Sequence, residues 1–396
     1  MKSILTPPTK LPALEPELEE HGYKVIEKIV KEIKQHNGKI TFALFMDLAL
    51  YAPGLGYYSA GLQKFGRAGD FVTAPEISPL FGQCIANQCD EIFLKLKNPC
   101  LLELGAGTGQ CAVQIVSALS KKNCLPQKYY ILEISADLRE KQQQLLKIKC
   151  PYYYDNIFWL DNLDDLNFEG IIFANEVLDA LPVHRFVCEN DIIDELYVTY
   201  KNNEFQWLRA KPSDTALIES VSKLKQNYFI DNQYYESEIN CLFPSWLHTI
   251  TRPLSKGVVL FVDYGFLAPE FYHPERSAGT LMCHYKHFSH TNPLILPGLQ
   301  DITSHVDFSW VIDNAIEIGL KPLGYTSQAD FLINCGLLEL VSKLSVEEQY
   351  KIAQEIKILT LPSEMGELFK VLALGYNFTS ALRGFINYYP RDYNDE

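Results

Sequence analysis

Cys100–Gly109 reads CLLELGAGTG, an apolar run ending near Glu103 that leads into three glycines, Gly105, Gly107 and Gly109. Glycine at such positions lets a ligand approach the backbone closely. A dinucleotide fingerprint of the GxGxxG form would place its third glycine where Gln110 stands, so this GxGxG loop argues against a nicotinamide dinucleotide. A second acid, Glu133, closes the next apolar run 24 residues past Gly109. Together with Glu103 it suits a nucleoside whose ribose hydroxyls need an acceptor, and that ligand need not carry phosphate.

Such a loop needs a strand before it and a helix after it. The pattern supplies both: Cys100–Leu104 reads as a strand, Gln110–Leu119 as a helix, Tyr129–Ile134 as a strand, Ala136–Lys147 as a helix and Gly170–Ala174 as a strand. This alternation predicts an α/β fold with a mostly parallel sheet and helices on both faces. The sheet resumes at Gly257–Asp263, a near-continuous apolar run suited to a strand buried on both sides, and Lys370–Leu374 closes it as a last strand. Helical spacing over Glu17–Gln35 and Thr41–Leu50 predicts a helical N-terminal extension over 1–98. The core of this α/β fold is expected over 99–182 and 256–376, with an insertion at 183–255 and a tail at 377–396. Within the insertion, Tyr197–Tyr200 and Phe205–Leu208 flank Lys201-Asn202-Asn203 as a β-hairpin, 212–250 lacks clear β texture, and 308–360 is read as mainly helical.

Composition narrows the function. Of 396 residues, 47% are hydrophobic and 21% charged, the balance of a globular chain with a real core. Lys plus Arg is 35 against 49 Asp plus Glu, a net charge of −14 that disfavours a nucleic-acid partner and would tolerate or steer a basic peptide. The ten cysteines form no CxxC pair, which indicates reduced thiols. No apolar stretch approaches the ~18–20 residues of a membrane span, and the Pro- and Glu-rich start lacks the pattern of a secretion or import signal. The expected location is the bacterial cytoplasm. Cys283, His284, His287 and His290 follow one another at steps of three or less, which is not the paired spacing of a structural zinc site, so no metal is expected.

The glycine loop with its acidic second strand resembles class I S-adenosylmethionine-dependent methyltransferases. Longer segments sharpen the resemblance: FALFMDLALYAPGLGYYSAG (42–61), GDFVTAPEISPLFGQ (69–83), FANEVLDALPVHRF (173–186), FVDYG (261–265), GTLMCHYKH (279–287), DITSHVDFS (301–309) and EMGELFKVLALG (364–375) are similar to the MidA-like methyltransferases. That group includes a mitochondrial complex I assembly factor that methylates an arginine. The resemblance implies a Rossmann-like sheet whose last strand is antiparallel, and S-adenosyl-L-methionine as cofactor. It implies that Gly105, Gly107 and Gly109 face the methionine, that Glu133 holds the ribose, and that Asp161, two residues after Trp159, contacts adenine. Thr73 and Glu76 would line the cofactor or acceptor pocket. Met282 and Leu299 stand where the family usually has arginine and glutamate, which puts the substrate in question.

In this fold the reacting methyl lies beyond the strand that ends at Asn175-Glu176. Asp179 follows one turn on if EVLDAL is helical, so Glu176 and Asp179 would present two carboxylates to one cation while Asn175 supplies an amide. Asp263, ending GVVLFVD, and His305, in DITSHVDF, are further pocket candidates because ligands bind at strand ends of open α/β sheets. The leading expectation is a protein arginine N-methyltransferase acting on a partner such as a respiratory-complex subunit, with a homodimer left open. A small-molecule O- or N-methyltransferase and a non-catalytic assembly chaperone are the competing functions.

Overall fold

The computed structural model describes residues 4–8, 11–61, 72–190, 192–228 and 234–386. The chain divides into two compact units. The first comprises Met1–Phe71, Leu178–Phe243 and Phe266–Asp307, and the second Val72–Val177, Pro244–Gly265 and Phe308–Glu396.

The second unit is built on seven strands: β1 (Cys100–Leu104), β2 (Tyr129–Leu132), β3 (Ile157–Leu160), β4 (Phe168–Asn175), β5 (Leu254–Phe266), β6 (Lys321–Ser327) and β7 (Phe369–Tyr376). They lie in the order β6-β7-β5-β4-β1-β2-β3. Pairing is parallel from β5 through β3, whereas β7 runs antiparallel to both β5 and β6, as the family resemblance implied for the last strand. All five residues of β1 are buried and β4 and β5 are nearly so, which is why these strands read as apolar runs without alternation.

Four helices position the site: α1 (Ala74–Ile77), α2 (Pro79–Phe93), α3 (Gln110–Lys121) and α4 (Ala136–Lys149). Ser78 caps α2 and Ser135 caps α4 through side-chain oxygens that accept backbone N–H groups two and three residues on. One face of α2 and of α3 joins β1, β4 and β5 in a continuous apolar core that includes Phe81, Ile85, Ile115, Leu101 and Phe173.

The first unit has its own core, gathered from the helices Pro16–Gln35 and Phe42–Tyr51 and from an antiparallel sheet. That sheet explains why its pieces are far apart in sequence: Lys39–Thr41 pairs with Ile192–Lys201, which pairs in turn with His184–Glu189 and Glu204–Ala210. The N-terminal extension and the insertion, separated by the sequence reading at 98 and 183–255, thus fold as parts of one unit with the first boundary at Phe71. The expected hairpin is present, its turn made by Asn202 and Asn203 with φ of 53° and 63°.

Several strands have no counterpart in the sequence reading, Lys39–Thr41, His184–Glu189 and Met282–Tyr285 among them. Tyr235–Ile239 lies inside the stretch judged free of β texture, β6 lies inside the stretch judged helical, and β3 was read only as a motif. The segment after β4 also differs, since EVLDAL is a turn and not a helix, with Glu176 at φ 53°. No helix among the described residues is long and apolar enough to cross a membrane. The tail at 387–396, the start of GDFVTAPEISPLFGQ at 69–71 and part of the N-terminal arm lie outside the described residues.

Gly170 sits on β4 where a Cβ would stand 1.8 Å from the Cys100 carbonyl oxygen of β1. Gly170→Ala must therefore push apart the two central strands, and urea denaturation should show a loss of about 1–3 kcal/mol; an unchanged midpoint would mean that the strand pair has slack.

Candidate active site

The glycine loop leaves β1 in a conformation that side chains resist. Gly105, Gly107 and Gly109 have φ of 61°, 55° and 85°, all in the left-handed region. Gly105 N–H donates to the Leu132 carbonyl at 3.0 Å, which ties the loop's start to β2, and Gly109 N–H closes back on Ala106 O at 2.8 Å. Helix α3 then starts at Gln110 directly from Gly109.

Glu133 follows β2 and is 8% exposed. One carboxylate oxygen accepts Ser135 N–H at 2.9 Å and the other accepts Gln142 Nε2 at 3.0 Å. Gln142 of α4 also donates to Gly107 O at 2.9 Å and accepts from Trp159 Nε1 at 2.9 Å. A single amide thus links the glycine loop, the second-strand acid and β3. Neither Gln142 nor the indole contact was foreseen, because a glutamine inside KQQQLL carries no signal of its own.

Glu103 is 2% exposed and accepts Tyr129 OH at 2.7 Å. Its expected role as a cofactor ligand gives way to a place within the sheet, since β1 turns it toward the phenol on β2 and the core. Burial pushes its carboxyl up from an ordinary 4.5 to about 7; the Tyr129 hydrogen bond opposes that rise and the nearby Glu133 charge adds to it.

Asn175 and Glu176 end β4, and Asn175 Nδ2 donates to Glu176 Oε1 at 3.0 Å. The turn is fixed from β5: Glu176 N–H donates to Val262 O at 2.9 Å and Val177 N–H to Asp263 Oδ2 at 3.1 Å. Asp263 is wholly buried and its other oxygen accepts Tyr264 N–H at 2.9 Å. Its expected place in the substrate pocket is corrected to a brace that holds the Glu176 turn, because backbone amides take both oxygens.

Thr73 occupies the N-cap position of α1 but caps with its backbone carbonyl, which accepts Glu76 N–H and Ile77 N–H. Glu76 Oε1 receives a hydrogen bond from Thr108 Oγ1 of the glycine loop. Asp161, expected at the adenine, has a side chain 82% exposed and pairs with Arg139, which also donates to Trp159 O at 2.8 Å.

The remaining candidates belong to the first unit. Asp179 is buried, and its carbonyl accepts Ser304 N–H at 3.0 Å. His305 stacks on Phe266 at 5.3 Å with ring planes 10° apart, its Nδ1 lies 3.4 Å from Thr280 O, and burial pushes its imidazole down to about 4. The acid missed at this locus is Asp301, four residues earlier. It is buried, and Tyr58 OH donates to its two carboxylate oxygens at 3.0 Å each. Burial, Asp301 and Asp179 together drive the Tyr58 hydroxyl well above its usual range. Both residues lay inside quoted motifs, YAPGLGYY and DITSHVDF. Among the described residues no group of three or more His, Cys, Asp and Glu is placed to hold a metal ion.

Residues 84–326 match the family described as "Putative S-adenosyl-L-methionine-dependent methyltransferase". The chain belongs to this methyltransferase family. A solved structure titled as a "likely methyl transferase from Burkholderia thailandensis bound to S-adenosyl-homocysteine" is 35% identical with a TM-score of 0.90, covering 95% of this chain and 98% of that one. A Caenorhabditis elegans relative named "Protein arginine methyltransferase NDUFAF7 homolog, mitochondrial" is 27% identical over 94% of this chain and 90% of its own length. A Mus musculus relative named "Protein arginine methyltransferase NDUFAF7, mitochondrial" is 28% identical over 88% and 84%. The MidA-like resemblance and the Rossmann-like class I fold both stand.

The methyltransferase's cofactor is S-adenosyl-L-methionine, and the residues present fit it. Gln110 Oε1 and Asn175 Oδ1 are buried side-chain acceptors with no hydrogen-bond partner among the described residues, as expected of groups that a polar ligand completes. Glu133 would hold the ribose, and the glycine loop the methionine portion.

Two outcomes follow. Between pH 4.5 and about 7 the unfolded chain has released the Glu103 proton that the folded chain still holds, so folding stability falls as pH rises through that window. Glu103→Gln should flatten that part of the stability profile in urea titrations at pH 5 and pH 8; an unaltered slope would remove the neutral carboxyl. Gln142→Ala should weaken S-adenosylhomocysteine binding about tenfold to a hundredfold by calorimetry, because the carboxylate loses a fixing hydrogen bond; affinity equal to wild type would show that Glu133 holds its place without it.

Proposed function

We propose that this methyltransferase transfers a methyl group to an arginine side chain of a partner protein, with Glu176, Asp179 and Asn175 as its acceptor-side residues. What carries the proposal is similarity, across about nine-tenths of the chain, to relatives named protein arginine methyltransferases.

A guanidinium has a pKa above about 12 and, while protonated, no nucleophilic lone pair, so carboxylates must orient it and take its proton. The cofactor supplies, when bound, an electrophilic methyl open to in-line displacement. Glu176 is suited to the acid–base part because its turn is fixed at two successive backbone amides, which leaves the carboxylate little freedom to wander. Asn175 aligns that carboxylate through its amide. Asp179 is itself buried and, with Asp301, acts on the Tyr58 phenol within the first unit. The proposal extends to a respiratory-complex subunit as the partner, following the family resemblance. It extends also to a reducing compartment such as the bacterial cytoplasm, supported by ten cysteines that are all free thiols; the curated relatives are themselves named mitochondrial.

Incubation with labelled S-adenosylmethionine and a cell lysate, followed by hydrolysis of the protein fraction, should yield labelled methylarginine. Label in small molecules alone would replace the arginine proposal with a small-molecule methyltransferase. Glu176→Gln should slow transfer about a hundredfold or more and leave S-adenosylhomocysteine affinity near wild type, and full turnover by that variant would remove its carboxylate from the mechanism.

A further inference from the structure

S-adenosylmethionine carries two positive centres at neutral pH. The sulfonium must leave its methyl open to the acceptor, whereas the α-ammonium of the methionine end is a compact cation with three N–H donors that needs acceptors and, best, a negative charge. Glu133, which the family resemblance gives to the ribose, already accepts Ser135 N–H and Gln142 Nε2. A different acid stands against the glycine loop itself.

Glu76 belongs to the first turn of α1, and its Oε1 is hydrogen-bonded to Thr108 Oγ1 in the middle of the loop. The segment carrying it is pinned to α3: Gln114 Nε2 donates to Pro75 O at 2.7 Å, and Gln114 Oε1 accepts Gly82 N–H at 3.2 Å. The same Thr108 oxygen accepts Gln110 N–H at 3.4 Å, which places Gln110 next in the chain of contacts. Gln110 Oε1 is one of the buried acceptors without a partner among the described residues. A half-buried carboxylate and an unsatisfied amide oxygen therefore flank one threonine of the loop that faces the methionine end. Leaving a buried acceptor empty is costly, and a ligand that brings N–H donors relieves it.

We propose that Glu76 receives the α-ammonium of S-adenosylmethionine, with Gln110 Oε1 as its second acceptor and Thr108 as the hydroxyl that aims the carboxylate. The assignment rests on S-adenosylmethionine being the cofactor. It makes Glu76 a cofactor-specificity residue: its charge selects for the amino-acid end of the ligand, and the adenosine end is read elsewhere.

The test is calorimetric titration of the full chain with S-adenosylhomocysteine and with its deaminated analogue, which keeps adenosine, thioether and carboxylate and carries hydrogen in place of the amino group. Wild type should prefer S-adenosylhomocysteine by about tenfold to a hundredfold. Glu76→Gln, which keeps an acceptor for Thr108, should lose affinity for S-adenosylhomocysteine by a similar factor and bind the deaminated analogue as wild type does. Thr108→Val should lose part of the same preference, and it decides the matter if Glu76→Gln fails to fold. Equal loss for both ligands would reduce Glu76 to a structural latch, and equal binding of both by wild type would overturn the ammonium assignment while leaving the cofactor in place. Failure of folded wild type to bind either ligand would instead overturn the cofactor itself.

Discussion

The site depends on one feature of the sheet, the reversal of winding between β1 and β4. From β1 the chain moves outward through β2 to β3, then returns to lay β4 on the opposite side of β1, with Leu104 beside Ala174 at their carboxyl ends. Connections leaving such a pair run apart and open a crevice. Into it come the glycine loop from β1 and the Asn175-Glu176 turn from β4. The close approach of the two strands is itself a sequence property, because Gly170 on β4 leaves no room for a side chain against Cys100.

Around that crevice the polar groups are fixed by a few shared partners. Gln142 reaches the loop at Gly107, the acid at Glu133 and the indole of Trp159, so β1, β2, β3 and α4 are registered through one amide. Asp263 performs the equivalent task on the other side, where its two oxygens hold Val177 and Tyr264 and so set the direction of Glu176. Buried polar groups that are fully satisfied in this way make a site rigid, and a rigid site suits a displacement that depends on alignment more than on acid strength. Beside them, Gln110 Oε1 and Asn175 Oδ1 are buried acceptors with no hydrogen-bond partner among the described residues.

The sheet was legible because β1, β4, β5 and β7 are covered on both faces and appear as apolar runs. Short strands with mixed exposure were not: β3 shows only one buried position in four, and β6 alternates irregularly around Gly324. The turn at Glu176 is also hidden, since EVLDAL has helix-forming composition and the left-handed Glu176 is held by bonds to β5, among them one from Val177 N–H to Asp263, 86 residues on. The glycine loop and the quoted motifs mark Glu133, Asn175 and Glu176 in the sequence. What local pattern could not convey was the direction each acid faces, because that is decided by tertiary neighbours such as Tyr129 for Glu103 and Thr108 for Glu76.

That difference in neighbours sorts the carboxylates into distinct tasks. Glu103, shut in the sheet against a phenol, is held toward its neutral form and serves the core. Glu133, two residues before the Ser135 cap of α4, accepts a backbone amide on one oxygen and a side-chain amide on the other. Asp263 has its oxygens taken by the backbone, and Asp161 is out in solvent with Arg139, where an ion pair contributes little. Glu76 and Glu176 differ from all of these: each is only half-buried, and each is hydrogen-bonded to a neighbour of the crevice, Thr108 for the one and Asn175 for the other. An acid held in place yet not sealed off is what a transient cation requires, and on the two proposals the ligand's ammonium meets Glu76 and the acceptor's guanidinium meets Glu176.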